Sequence, residues 1–152
     1  MYQGDEQSQL DLKLFLVLRK ASQAVFANAG RDMINKGITH EQFMILELIY
    51  NKGPHPIQKI SEKFSIPSGS ITYVVDKLEK KGFIKREQSP RDRRASNVVL
   101  TQKGQELFDE IFPSHVEAIS KNFASIANEE KQFLIDKLKE IGHTAKYLQI
   151  ED

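Results

Sequence analysis

The stretch from Ile57 to Leu100, IQKISEKFSIPSGSITYVVDKLEKKGFIKREQSPRDRRASNVVL, decides the fold. Ile57, Ile60 and Phe64 recur at helical spacing and mark a short helix with one inward face. Ser65-Ile66-Pro67-Ser68 reads as a tight turn, since proline fixes its own φ and cannot continue the preceding helix. A second helix is predicted from about Ser68 to Lys81. Its Ile71, Val74, Val75 and Leu78 stand at i, i+3, i+4 and i+7, so they share one face. Gly82 stops it. Phe83–Gln88 and Ser96–Leu100 have strand character, and Ser89-Pro90-Arg91-Asp92 between them carries turn chemistry.

Helix, tight turn, helix, basic hairpin is the order of a winged helix-turn-helix. If the second helix is anchored through Ile71 to Leu78, its other face is free. That face holds Gly69, Ser70, Thr72, Tyr73, Asp76, Lys77 and Lys80. Small hydroxyl residues near the helix start suit entry into a major groove about 12 Å wide. Ser68, Ser70 and Thr72 can hydrogen-bond bases or phosphates, and the helix N-terminus itself favours phosphate. Gly69 lets backbone come close, at some cost in helix propensity. Lys77 and Lys80 sit where phosphates would flank the groove. At the hairpin tip Arg91, Arg93 and Arg94 cluster, and a guanidinium there can enter a narrow, electronegative minor groove. Asp92 makes sense among them if its carboxylate holds a neighbouring arginine in place.

Charge distribution agrees. Lys77 to Arg94 contains eight basic and three acidic residues, a local +5, and the remainder of the 152-residue chain is −4. A near-neutral chain with one basic segment suits a local polyanion contact, although a solvated charged face has the same composition.

Outward from this core the chain reads as helix on both sides. Residues 1–9 are expected to fray. From Leu10 to about Gly30, Leu14, Leu18, Ala21 and Val25 recur at helical spacing, with Gly30 and Gly37 bracketing an extension or break. Thr39 begins a second helix with Gln42 three residues on, as a capping box needs, and Phe43 to Tyr50 is apolar nearly all round. After the hairpin Thr101 caps a long helix to about Phe123, which Pro113 should kink or divide. Asn128 caps a last helix, with Phe133, Leu134, Leu138 and Ile141 on its apolar side. The expected fold class is mainly α with a small β-hairpin wing. Its expected divisions are 1–38, an N-terminal dimerisation helix; 39–100, the winged lobe; and 101–152, C-terminal dimerisation helices.

The absence of cysteine excludes disulfides, cysteine-based zinc or iron–sulfur sites and a thiol nucleophile. His40, His55, His115 and His143 are scattered and read as structural or surface residues, so no metal or cofactor is expected. No nucleophile elbow or phosphate-cradling glycine loop is present, so no catalysis is expected. No run approaches a membrane span, and with no targeting segment the expected address is the cytoplasm.

The residues also resemble a known family. Asp92-x-Arg94, followed by Leu100-Thr101-x-x-Gly104, is similar to the wing-to-helix motif of the MarR family of bacterial transcription regulators. Val74 to Ile84, VVDKLEKKGFI, is similar to that family's recognition-helix exit, and the likeness extends over about residues 10–148. Lys77 departs from it, since many members carry arginine there and lysine lacks the bidentate fork. Within the family, Ser68 to Lys81 looks like the MhqR-like group, regulators linked to quinone and hydroquinone stress.

The resemblance implies a homodimer on double-stranded DNA. The terminal helices would form its interface, Arg94 would enter the minor groove with Asp92 as partner, and Ser68, Ser70, Thr72 and Tyr73 would face the major groove. It also implies repression relieved by a small aromatic, phenolic or quinone-like effector. Phe15, Leu18, Phe43, Leu46, Tyr50 and Phe108 fall on the elements where such a ligand would sit, and core packing competes as their explanation. Two other readings of the chain stay open. One is a winged-helix protein–protein module without DNA binding, and the other is a helical protein that binds or converts small molecules.

Overall fold

A computed structural model describes residues 2–149. Its elements are α1 (Glu6–Asn35), α2 (His40–Lys52), β1 (His55–Pro56), α3 (Ile57–Phe64), α4 (Ser68–Lys80), β2 (Ile84–Gln88), β3 (Ser96–Leu100), α5 (Gln102–Ser120) and α6 (Asn128–Leu148). They fall into two compact units, one ending at Ala118 and the other starting at Ile119.

In the first unit α2 is the central helix. Thr39 Oγ1 accepts the Gln42 amide at 3.2 Å, and the Gln42 side chain returns the bond to the Thr39 N–H at 3.4 Å. This is the capping box read from the sequence. Phe43, Ile45, Leu46, Leu48 and Ile49 are all buried, as a helix apolar nearly all round requires. Around it gather Ile60 of α3, Ile71, Val75 and Leu78 of α4, Ile84 and Val98 of the sheet, and Phe108 and Ile111 of α5. The inward faces of α3 and α4 are those the periodicity indicated.

The sheet is antiparallel in the order β1-β3-β2, with Ile84 opposite Leu100 and Gln88 opposite Ser96. The short strand β1, His55 opposite Val98, adds a third strand to the predicted hairpin. Two residues are too few to show an alternation, and Pro56 argues against a strand except at an edge, which is where it lies.

Two other expectations are corrected, at residues 6–9 and Asn128, and two alternatives left open by the sequence are narrowed, at Gly30 and Pro113. Residues 6–9 are helical rather than frayed, because the Asp5 carboxylate accepts the Ser8 amide at 2.9 Å and caps α1; Met1 lies outside the described residues. Gly30 does not break α1, which continues to Asn35, and the turn falls at Gly37 with φ 73°. Pro113 does not divide α5, which ends at Ser120 in a 3-10 turn over Lys121–Phe123. Asn128 is the first residue of α6 rather than its cap; the Glu130 carboxylate accepts the Ala127 N–H at 2.7 Å instead.

Two joints set the lobe's geometry. Between α3 and α4, Ser65 takes a left-handed φ of 53°, and Ser61 Oγ donates to the Ile66 carbonyl at 2.6 Å across the turn. Between α4 and α5, Thr101 Oγ1 donates to the Gly82 carbonyl at 2.5 Å and accepts the Gly104 amide at 3.1 Å. Lys103 Nζ donates to the Lys81 carbonyl at 2.8 Å, filling an acceptor at the end of α4. A Cβ on Gly104 would overlap the Phe83 carbonyl oxygen, so only glycine lets the two backbones meet. The Leu100-Thr101-x-x-Gly104 pattern is thus the joint that fixes the wing and α4 to α5.

The second unit holds α6, none of whose residues is buried. Phe133, Leu134, Ile135, Leu138, Ile141 and Tyr147 are exposed along it. On α1, Leu10, Leu14, Phe15, Val17 and Phe26 are exposed in the same way, and Met33 alone is buried. Among the described residues no helix is long and apolar enough to cross a membrane.

Candidate nucleic-acid interface

Burial of Ile71, Val75 and Leu78 turns the rest of α4 outward. Ser68, Gly69, Ser70, Tyr73, Lys77 and Lys80 are exposed and Thr72 is half-buried. Gly69 has a helical conformation with nothing within 4 Å of the place a Cβ would occupy. The fold therefore does not require glycine there, and its absent side chain leaves room for something outside the protein. Thr72 Oγ1 donates its proton to the Ser68 carbonyl at 2.9 Å, so toward an outside group this hydroxyl is an acceptor. Lys77 Nζ lies 4.5 Å from the centroid of the Tyr73 ring, a cation–π contact that holds its charge over an exposed aromatic face. An open groove of about 450 Å³ runs along this face, between Gly69, Ser70, Tyr73 and Lys77 on one side and Thr39, Glu41 and Gln42 on the other.

The wing presents the second basic surface. Arg91, Asp92, Arg93 and Arg94 are all exposed. The tip is closed by Ser89 N–H donating to the Ala95 carbonyl at 2.9 Å and by Gln88 Nε2 donating to the Arg93 carbonyl at 2.8 Å. Asp92 Oδ1 accepts the backbone N–H of Arg94 at 2.9 Å. Asp92 therefore positions Arg94 through its backbone, not through a guanidinium fork, and leaves the guanidinium free to reach outward.

Sequence reasoning missed two charged clusters. Arg86 of β2 donates to Asp76 Oδ1 of α4 at 2.6 Å and to Glu79 Oε2 of the same helix. Its hydrogen bond to Asp76, then that to Glu79, holds the Arg86 guanidinium above its ordinary pKa against the opposing effect of burial. The signal was present: Asp76 and Glu79 stand three apart on one flank of a helix that a basic strand follows. The second cluster joins α1 to α5. His115, buried, meets Asp32 Oδ2 through Nδ1 at 2.6 Å, and Asp32 Oδ1 accepts from Lys36 at 2.7 Å. Burial raises the Asp32 pKa, but the hydrogen bonds from Lys36 and His115 outweigh it and hold the carboxyl below its usual range. Only the helical spacing of His115 with Phe108, Ile111 and Phe112 could have shown that it faces inward.

The MarR family model matches residues 38–96, which span the lobe from the start of α2 to β3. The HTH-type transcriptional regulator MhqR of Bacillus subtilis (strain 168) is 39% identical over 139 residues, covering 91% of this chain and 96% of that protein. The chain belongs to the MarR family. It is accordingly a DNA-binding transcription regulator with a winged-helix lobe, and not an enzyme.

Solved structures agree on the fold of this MarR-family chain. Sco3205, a MarR family regulator from Streptomyces coelicolor solved in complex with DNA, superposes with a TM-score of 0.76 at 20% identity, over 95% of this chain and 91% of that one. CouR from Rhodococcus jostii RHA1, solved bound to p-coumaroyl-CoA, gives a TM-score of 0.76 at 20% identity, over 84% of this chain and 90% of that one.

The six ligand candidates of the MarR-family chain separate. Phe43, Leu46 and Phe108 are fully buried, with the Phe43 and Phe108 rings 5.1 Å apart, so they build the core. Tyr50 is half-buried against Phe108 and Phe112, and its hydroxyl donates to Asp109 at 2.8 Å, a bond that raises the phenol's pKa. Phe15 is exposed and Leu18 half-buried on α1.

Proposed function

We propose that this chain acts as a homodimeric repressor that occupies a pseudo-palindromic operator and leaves it when a small aromatic, phenolic or quinone-like effector binds. The observation that carries the reading is the outward surface of α4. Its hydroxyls and lysines are exposed, its Gly69 faces open space, and an arginine-tipped wing follows it. In this reading Ser68, Ser70, Thr72 and Tyr73 meet the major groove, and Lys77 and Lys80 meet phosphates. Arg91, Arg93 and Arg94 reach the flanking minor groove, with Asp92 fixing Arg94.

Dimerisation is supported by the apolar faces of α1 and α6, which a single chain leaves in solvent at the expense of hydrophobic stabilisation. Residues 1–38 and 101–152 supply that interface, and 39–100 is the reading lobe. The regulator works in the cytoplasm, where its operator would be. With no cysteine, a quinone cannot act by alkylating a thiol, and in this reading it binds reversibly and favours a lobe spacing unsuited to the duplex. Phe15, Leu18 and Tyr50 are the accessible members of the candidate set. That the same fold in CouR accommodates an aromatic acyl-CoA supports an aromatic effector.

Selection of bound fragments from random DNA tests the reading. It should return inverted half-sites about one helical turn apart, and phenols or quinones added to the complex should release the duplex. Recovery of no preferred sequence would overturn the operator, and no release by saturating phenols and quinones would overturn the effector class.

A further inference from the structure

The recognition helix carries two carboxylates as well as two lysines. Asp76 lies one turn after Thr72 and Tyr73 and one turn before Lys80, so it stands within the outward stripe. Its side chain is 53% exposed, and that of Glu79, on the flank nearer β2, is 41% exposed. Two carboxylates against Lys77 and Lys80 leave this part of the helix with no net charge, and a bare carboxylate in the stripe would face phosphates. Like charges brought together at an interface oppose binding.

Arg86 changes that balance. It reaches from β2 to both carboxylates at once, with one terminal nitrogen on Asp76 Oδ1 at 2.6 Å and the other on Glu79 Oε2. Its own side chain is only 29% exposed. A planar guanidinium can serve two acceptors in this way, whereas an ammonium acts as a single point charge. The neighbouring strand ions are otherwise engaged, since Lys85 pairs with Glu87 at 2.7 Å.

We propose that Arg86 is a positioning residue for DNA recognition: by engaging Asp76 and Glu79 together and offsetting one of their two charges it tips the outward face of α4, with Lys77 and Lys80, to net positive and keeps both carboxylates turned from the phosphates. This rests on the DNA-reading assignment of α4. Arg86 need not touch the duplex, so it acts through the two acids.

The test is a cycle of full-length variants on a duplex that the parent has selected from a random pool, with thermal unfolding followed alongside. Arg86→Gln should weaken binding about tenfold or more, an effect near 1.4 kcal/mol. Arg86→Lys should fall between the two. Adding Asp76→Asn and Glu79→Gln to Arg86→Gln should restore affinity to within about threefold of the parent, because the repulsion is gone with its neutraliser. The two acid substitutions on intact Arg86 should tighten binding, since the face then carries three cations and no carboxylate. A lost structural brace would not be rescued by removing its other half, so a triple variant as weak as Arg86→Gln would overturn the proposal, as would Arg86→Gln binding like the parent. A parent that selects no duplex would overturn the DNA reading itself, and this inference with it.

Discussion

The winged lobe and α6 are written in the same code and reach opposite states. Phe43, Ile60, Ile71, Val75, Leu78 and Phe108 sit at helical spacings in their elements and vanish into one core. Phe133, Leu134, Leu138 and Ile141 sit at equally regular spacings in α6 and remain exposed. Periodicity states which face of a helix seeks cover but not what covers it. The lobe finds its cover within about seventy residues of chain, where three helices and a sheet close on α2. For α6, and for most of α1, we assign that role to a second copy.

Breaking the proposed contact should give the largest effect. Leu134→Asp with Leu138→Asp should turn a dimer into monomers by sedimentation and lower operator affinity by about a hundredfold or more, since two linked lobes bind far more tightly than one. A variant that stays dimeric would contradict the assignment of α6. The next test sets the two regions against each other. Phe108→Ala should cost about 3–5 kcal/mol of stability, with a melting temperature independent of protein concentration among dimeric samples once the concentration dependence of the parent is allowed for. Phe133→Ala should act chiefly on association, so its destabilisation should grow on dilution. Identical concentration dependence for both would erase the distinction.

Glycines sharpen the comparison inside the lobe. Gly104→Ala should destabilise by about 1–3 kcal/mol, because the added carbon meets the Phe83 carbonyl. Gly69→Ala meets nothing in the protein and should leave the fold intact or stabilise it by up to about 1 kcal/mol, while weakening DNA binding. A thermal melt beside a binding isotherm separates the two.

The smallest effect concerns the bridge from α1 to α5. The Asp32 carboxyl is held below its ordinary pKa of 3.8, so the stability it contributes is present above that value and is lost as pH falls through its depressed folded value. Asp32→Asn should therefore lower the melting temperature at neutral pH and narrow its gap to the parent in acid, as followed by unfolding at a series of pH values. A gap that widened on acidification would contradict the sign.

Much of the lobe was legible because its signals are local. The capping box at Thr39, the turn at Pro67, the stop at Gly82 and the two strands either side of the Ser89–Asp92 turn each depend on a few neighbours in sequence. What escaped the reading depends on distant partners. Strand β1 exists because β3 passes beside it, and His115 is buried because Asp32, eighty-three positions away, meets it. Arg86 looked like one more cation in a basic segment until the strand brought it against α4. At the proposed DNA surface the exposed hydroxyls and lysines followed from the inward face of α4, and the exposed arginines from the turn between the two strands of the wing. Asp92 was read as a partner for a guanidinium and is a partner for a backbone amide, a choice that turn geometry makes and composition does not. The ligand set was the least legible part, since apolar residues at helical spacing describe a core and a pocket equally well.

The measurement that bears most directly on the account is the salt dependence of duplex binding by the parent, Lys80→Ala and Arg94→Ala. The parent's log affinity should fall linearly with log salt, and Lys80→Ala should flatten that slope by about one unit on specific and non-specific DNA alike. Arg94→Ala should weaken binding most where the flanks are rich in A·T. A parent indifferent to salt, or an Arg94→Ala variant that binds as the parent does, would contradict a surface built from α4 and an arginine-tipped wing.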